Sequence, residues 1–205
     1  TSLLRIYSKN KALTGRNIGT RLWLADYYST NDKGAVMEFE DLAEQCCDGG
    51  HGIKRLGVLR ADVDNLGAAF IGGFIRYGKE EPEKYATLSR YADLSRDLGM
   101  FFKLAVGKLC RGELNGFVNI NQQQFSLYGL QKPVQRKVHV VYSGGDDMFI
   151  VGAWDELIEL AVDIRRAFTR FTNGKLSFSA GLAMFSHGYP ISKMAEITGM
   201  LESAA

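Results

Sequence analysis

Val138-His-Val-Val-Tyr-Ser-Gly-Gly-Asp-Asp-Met-Phe-Ile-Val151 is the stretch on which the fold of this chain turns. It holds two apolar runs, Val138–Tyr142 and Met148–Val151, separated only by Ser143-Gly-Gly-Asp-Asp147. Paired glycines at that position favour a tight hairpin between two strands. Toward the N-terminus, Leu56-Gly-Val-Leu-Arg-Ala-Asp62 is a short apolar run bounded by turn signals and ending in a carboxylate, which predicts another strand. Between them Leu88, Tyr91, Leu94, Leu98, Phe101, Ala105 and Leu109 recur at spacings of three and four, with Leu104 flanking the same face. That pattern predicts a long amphipathic helix over 85–109. Toward the C-terminus, Leu157, Ala161, Ile164, Phe168 and Phe171 mark a second helix, and Leu176–Phe185 a fourth strand. Pro190 opens a last helix at a position that tolerates proline.

The order strand, helix, strand, strand, helix, strand is the ferredoxin-like arrangement, an α+β fold with helices on one face of an antiparallel βαββαβ sheet. Polymerase palms and nucleotidyl cyclases, including the GGDEF group, share it. In such a sheet the first strand lies antiparallel to the third, and the hairpin sits beside the first strand's carboxyl end. Asp62 and Asp147 are therefore expected to converge. Residues 1–54 have mixed polarity, with an aromatic patch at Trp23–Tyr28 and an amphipathic stretch at Phe39–Cys46, and end in the glycine cluster Cys47-Asp-Gly-Gly-His-Gly52. They read as the tail of a preceding linker domain, with the palm over 55–205. Residues 111–135, rich in Asn and Gln, read as an insertion. The chain starts at Thr1 and stops at Leu201-Glu-Ser-Ala-Ala205 inside a helical pattern, so it reads as an excerpt with the palm truncated at its C-terminal end.

Composition narrows the function classes. The 205 residues are 46% apolar and 23% charged, which matches a globular domain and argues against disorder. Lys plus Arg number 25 against 23 Asp plus Glu, too close a balance to attract nucleic acid by net charge, so any contact with polyanions must be local. No apolar run reaches the ~18 residues of a membrane span, and no signal-peptide pattern opens the chain, so a cytoplasmic location is expected. Cys46, Cys47 and Cys110 are odd in number and lack framework spacing, which fits reduced thiols. Zinc held by Cys46, Cys47 and His51 would require adjacent cysteines to reach one tetrahedral ion, and no second Cys pair follows.

The carboxylates carry the chemistry. Asp62 and Asp64 are two residues apart, so a continuing strand would project both from one face beside Asp146 and Asp147. Like charges that close repel, and a cation is the natural counter-charge. Hard oxygen ligands without His or Cys point to Mg²⁺ or Mn²⁺. Two such ions ~4 Å apart would clamp the attacking and leaving oxygens of an in-line phosphoryl displacement. Gly144 and Gly145 remove side chains where a triphosphate must approach the hairpin, and Asn65-Leu-Gly67 reads as a turn into a helix whose amides bind phosphate. Taken singly, the hairpin is a turn of preferred residues and Asp64 a helix cap. Two acid-bearing strand ends in one fold make the metal reading the better one.

Leu56-Gly-Val-Leu-Arg-Ala-Asp-Val-Asp-Asn-Leu-Gly67, together with Tyr142-Ser-Gly-Gly-Asp-Asp-Met-Phe-Ile-Val-Gly152, resembles the second palm domain of the large subunit of type III CRISPR complexes, in particular the III-A (Csm) branch. Leu88–Arg96 and Phe178–Gly181 are similar too. The resemblance implies an enzyme that, once target RNA pairs with the guide RNA of its complex, converts ATP into cyclic oligoadenylate messengers. It implies metal ligands at Asp62, at the backbone carbonyl of Val63, and at Asp146 and Asp147. Asp147 would be the more direct ligand, and Asp146 would help bind metal or position the 3′ hydroxyl. Ser143, Gly144 and Gly145 would lie against nucleotide, and Asp64, Asn65, Leu66 and Gly67 against its phosphates. Implied partners are the other subunits of the ribonucleoprotein, crRNA and target RNA, and the other palm of the same subunit, which completes the pocket. DNA cleavage by that family's HD domain is not placed on any of these residues. The rivals are a diguanylate cyclase, from whose Gly-Gly-Asp-Glu-Phe signature Asp147 and Met148 depart, a metal-dependent nuclease using the same acids, and a silent palm acting as scaffold.

Overall fold

Leu56–Val63 is buried on both faces: Leu59, Ala61 and Val63 enter one apolar cluster, Leu56 and Val58 another. This double burial explains why its sequence is a nearly continuous apolar run instead of an alternation. The computed structural model describes residues 7–9, 20–46, 52–113, 124–129 and 134–205. In chain order its elements are β1 (Tyr7–Lys9), β2 (Thr20–Leu22), α1 (Phe39–Glu44), β3 (Leu56–Val63), α2 (Leu66–Gly72), α3 (Leu88–Met100), a π turn (Phe101–Ala105), α4 (Val106–Cys110), β4 (Val138–Gly144), β5 (Asp147–Ala153), α5 (Trp154–Phe171), β6 (Phe178–Phe185) and α6 (Ile191–Ser203).

The main sheet has the order β4-β5-β3-β6, and all its pairs are antiparallel. This is the expected ferredoxin-like order. The helices of the βαββαβ repeat share one face: Leu98, Phe101, Phe102, Val106 and Leu109 meet Leu157, Leu160, Ile164 and Phe168 of α5 over Leu59 and Ala61. Phe101, Phe102, Phe168 and Phe178 pack ring against ring at its centre, with centroids 5.1–5.8 Å apart. Two helices outside the repeat cover the other face, where Leu42 of α1 and Met194 of α6 bury Leu56, Val58 and Val151. A Cβ on Gly181 of β6 would strike the Thr198 carbonyl and come within 2.6 Å of the Glu202 nitrogen, so α6 lies directly on the sheet there.

Three local features depart from the sequence reading. The long helix is α3 and α4 joined through a π turn, and Thr87 is its N-cap, so Tyr85 stays outside it between the guanidiniums of Arg76 and Arg90. Residues 27–30 run along the edge of β4, with Val140 N bonded to Tyr27 O and Ser29 N to Val138 O. With α1, this part of the segment grouped with the N-terminal tail is packed on the sheet. The described part of the insertion is tied to α5 by buried charge. Arg136, fully buried, ion-pairs with Glu159 and Asp163 and donates to Phe125 O, while Phe125 N and Leu127 N donate to the same two carboxylates. Cys46 and Cys110 are buried free thiols, each pushed by burial up to about 12, whereas Cys47 and His51 lie outside the described residues. No helix among the described residues is long and apolar enough to cross a membrane.

Arg136→Met is expected to cost about 3 kcal/mol or more in denaturant unfolding, because it strands two buried carboxylates. Adding Glu159→Gln and Asp163→Asn should restore part of that loss; a triple variant less stable than Arg136→Met alone would contradict the assigned pairing. Gly181→Ala should destabilise by about 1–3 kcal/mol in the same assay by forcing α6 off β6.

Candidate functional site

Register brings the acids together. Asp62 pairs with Asp147 across the β3–β5 ladder, and Val63 N donates to Asp146 O at 3.1 Å. Cross-strand partners project from the same face. For this pair it is the face of Val58 and Val151, the side covered by α6. The hairpin turn is only two residues, Gly145-Asp146, shorter than the five-residue separation in the sequence reading, because β4 and β5 extend to Gly144 and Asp147. Gly145 sits at φ 71°, the left-handed region that glycine occupies at the first central position of such a loop.

The pair is half-buried and electrostatically loaded. Burial raises the Asp62 carboxyl above its ordinary range, and the charges of Asp146, Glu202 and Asp147 push it further. Glu202, on α6, is the residue that sequence reasoning missed: it is far along the chain and is brought over Asp62 only because Gly181 admits α6 so closely. Its carboxylate also stands 4.0 Å from Arg60 Nε. Tyr142, exposed on the same edge, donates to the Gly144 carbonyl at 3.2 Å, and its hydrogen bond with Asp147 raises the phenol's pKa.

Asp64 does not join the cluster. β3 ends at Val63, so the strand alternation that would have set Asp64 beside Asp62 stops. Asp64 N bonds Ser177 O at 2.9 Å, and Ser177 Oγ donates back to the Asp64 carboxylate at 2.5 Å. Burial pulls the Asp64 pKa up, but hydrogen bonds from Ser177 and Ser179 and the charge of Arg165 outweigh it and hold the group low. Asn65 follows at φ 51°, and Leu66 starts the seven-residue α2 with its side chain against the core. A Cβ on Gly67 would meet nothing within 4 Å, so this end of α2 is open.

Ser143 and Gly144 have neighbours that the sequence did not indicate. A bulge between Val140 and Tyr142 puts Ser143 opposite Met148, on the core face, where its buried hydroxyl donates to the Phe102 carbonyl at 2.8 Å. Beside Gly144 the space is taken by Lys103 of the π turn, whose Cε would lie 3.4 Å from a Cβ at that position. Val63 offers only its backbone to the site, since its side chain is in the core.

Next to Asp64 and Asn65 opens a cavity of about 770 Å³ between α2, α3 and the α5–β6 connection, walled by Phe74, Leu94, Leu98 and Phe171 and rimmed by Thr172, Lys175 and Ser177. That size and mixture suit a small organic ligand. Among the described residues no three His, Cys, Asp or Glu side chains close to metal-binding distance. Two facing carboxylates with a third at the turn, all oxygen donors, fit an ion such as Mg²⁺ that is held by one or two carboxylates and completes its shell with water and phosphate.

The model of the Cas10/Cmr2 second palm domain matches residues 55–205. The single-strand-specific deoxyribonuclease Cas10/Csm1 of the subtype III-A CRISPR system of Enterococcus italicus is 42% identical over 206 residues, covering 98% of this chain and 22% of the relative. The chain thus spans about a fifth of the length of the curated relatives it matches. A solved Csm1–Csm4 cassette in complex with AMPPNP superposes with a TM-score of 0.79 at 34% identity, covering 98% of this chain and 26% of that one. A Csm1–Csm4 cassette in complex with cA4 gives 0.76 at 34% identity, with 96% and 26% covered. A four-stranded palm sheet with the Gly-Gly-Asp-Asp hairpin set against Asp62, together with these matches, shows that the chain belongs to the Cas10/Cmr2 family and carries its second palm domain.

Proposed function

We propose that this domain polymerises ATP into cyclic oligoadenylates, as the palm of a type III-A CRISPR effector large subunit, in the cytoplasm and under the control of target RNA bound by the complex. The observation that carries the reading is the register that sets Asp62 opposite Asp147 at the ends of their strands, two residues before Asp64 and Asn65, which line a cavity large enough for a nucleoside. The solved relatives that hold AMPPNP and cA4 support it.

The chemistry follows from the residues. Asp62 and Asp147, with Asp146 and the Val63 carbonyl, would hold Mg²⁺ or Mn²⁺, which makes a 3′ hydroxyl more acidic and neutralises departing pyrophosphate. The 3′ oxygen of one ATP attacks the α-phosphorus of another, a P–O bond forms, the bond to pyrophosphate breaks, and the hydroxyl proton leaves to solvent. Asp146, at the turn, positions the attacking hydroxyl. Gly145, exposed at the turn, presents bare backbone to the nucleotide, Gly144 is buried against Lys103, and Ser143 contributes by bolting the hairpin to the π turn. The start of α2, from Asn65 through Leu66 and Gly67, offers backbone amides to phosphate, while Asp64, whose amide and carboxylate are both bonded to Ser177, fixes that loop to the segment entering β6. The apolar walls of the cavity take the adenine. The other palm of the subunit completes the site, and the remaining subunits with crRNA and target RNA are the assembly in which it works. The deoxyribonuclease activity in the relatives' name belongs to proteins several times longer and is not assigned to these residues.

In the full-length subunit within its complex, Asp62→Asn or the pair Asp146→Ala and Asp147→Ala should lower oligoadenylate formation from labelled ATP at least ~100-fold without lowering the melting temperature. Product formed at the normal rate would refute the assignment. Acidity gives a second test. Because burial and three neighbouring carboxylates raise the Asp62 pKa, Mn²⁺ affinity should begin to fall with acidification above the ordinary aspartate range of about 4. Glu202→Gln removes one of those charges, lowers the Asp62 pKa and should carry Mn²⁺ binding to lower pH. For the metal-free protein the sign is opposite: an acid whose folded pKa exceeds its unfolded value stabilises the fold while protonated, and that contribution is lost as pH rises through the raised pKa. Asp62→Asn should flatten that dependence in urea titrations.

A further inference from the structure

The π turn at Phe101–Ala105 interrupts an otherwise regular helical rod at the point where the rod passes the hairpin. π turns carry an extra residue per turn, re-aim the side chains around them, and recur at functional sites. Here two contacts join the turn to β4. The buried Ser143 hydroxyl donates to the Phe102 carbonyl at 2.8 Å, and the stem of Lys103 runs along Gly144, with Cε and Cγ at 3.4 and 4.0 Å from where a Cβ would stand. The absent side chain at position 144 is therefore room for a lysine.

Lys103 is half-buried and, among the described residues, takes part in no ion pair within 4.0 Å. Its stem as far as Cε is thus laid against the hairpin, and its ammonium makes no ion pair with Asp146 or Asp147. The charges that act on Asp62 are Asp146, Asp147 and Glu202, all negative, and Arg60 on that face is turned to Glu202. A nucleotide laid against this edge brings more negative charge, and the hairpin side of the site has a cation placed for it.

We propose that Lys103 is a phosphate-binding residue of this site, its ammonium contacting the phosphates of an adenine nucleotide held along the Ser143–Asp147 hairpin. The inference rests on the nucleotide-binding reading above. A lysine binds phosphate as a flexible point charge, and its partly buried setting weakens the screening that surface lysines suffer. Gly144 then serves as the channel for the lysine stem, and Gly145 beside it keeps the exposed backbone.

The test uses the full-length subunit in its complex, comparing wild type, Lys103→Met and Lys103→Arg for binding of AMPPNP with Mg²⁺ and of adenosine, which has no phosphate. Lys103→Met should weaken AMPPNP binding about tenfold while adenosine binding holds, and Lys103→Arg should recover most of the loss. Wild-type AMPPNP affinity in Lys103→Met overturns the proposal. So does an equal loss for AMPPNP and adenosine, which would make the lysine a packing element only. A wild type that binds neither probe sinks the nucleotide-site reading itself, and this inference with it. Melting curves accompany each variant, and Lys103→Gln replaces Lys103→Met if the latter is unfolded.

Discussion

The antiparallel register of β3 against β5 is the constraint on which the site depends, because it alone sets Asp62 opposite Asp147. That register is strongly specified. Leu59, Ala61 and Val63 fill one core, while Leu56 and Val58 fill the other, so a slip by one residue would drive Arg60 and Asp62 into the aromatic cluster. Packing on both faces holds two like-charged carboxylates together, and burial first, then the charges of Asp146, Glu202 and Asp147, raises the Asp62 pKa. The apolar core thus supplies the free energy that keeps the acid pair closed.

Each face of the sheet adds something to the same edge. On one, the π turn anchors β4 through Ser143 and brings Lys103 beside Gly144. On the other, α6 rests on Gly181 and brings Glu202 over Asp62. The bulge between Val140 and Tyr142 lets one short strand serve both: it turns Ser143 into the core and leaves Tyr142 on the acid side, bonded to Asp147. Behind the site, the buried Arg136 pairs and the edge segment at residues 27–30 brace α5 and β4. The hairpin is therefore held by helix, strand and loop.

Much of this was legible in the chain. Short apolar runs bounded by turn residues marked the strands, spacings of three and four marked the helices, and the strand order followed from their sequence. The convergence of Asp62 with Asp147 followed from that order, since βαββαβ connectivity leaves the third strand beside the first. The π turn was not legible, because Leu98, Phe101, Ala105 and Leu109 keep helical spacing on either side of it. Nor was the anchoring of the insertion: Glu159 and Asp163 read as ordinary helix acids until Arg136 is found buried between them.

By itself, then, the sequence determined the fold class and the two acid-bearing strand ends, because periodicity and residue chemistry are local properties. Only the tertiary structure decided which acids act together. Asp64 leaves the cluster because β3 ends one residue before it and Ser177 captures its carboxylate, whereas Glu202 enters because α6 packs on a glycine. Lys103 reaches the hairpin through space, from a turn about forty residues earlier in the chain. Those placements depend on where strands stop and how closely helices approach, which long-range packing sets and spacing along the chain does not encode.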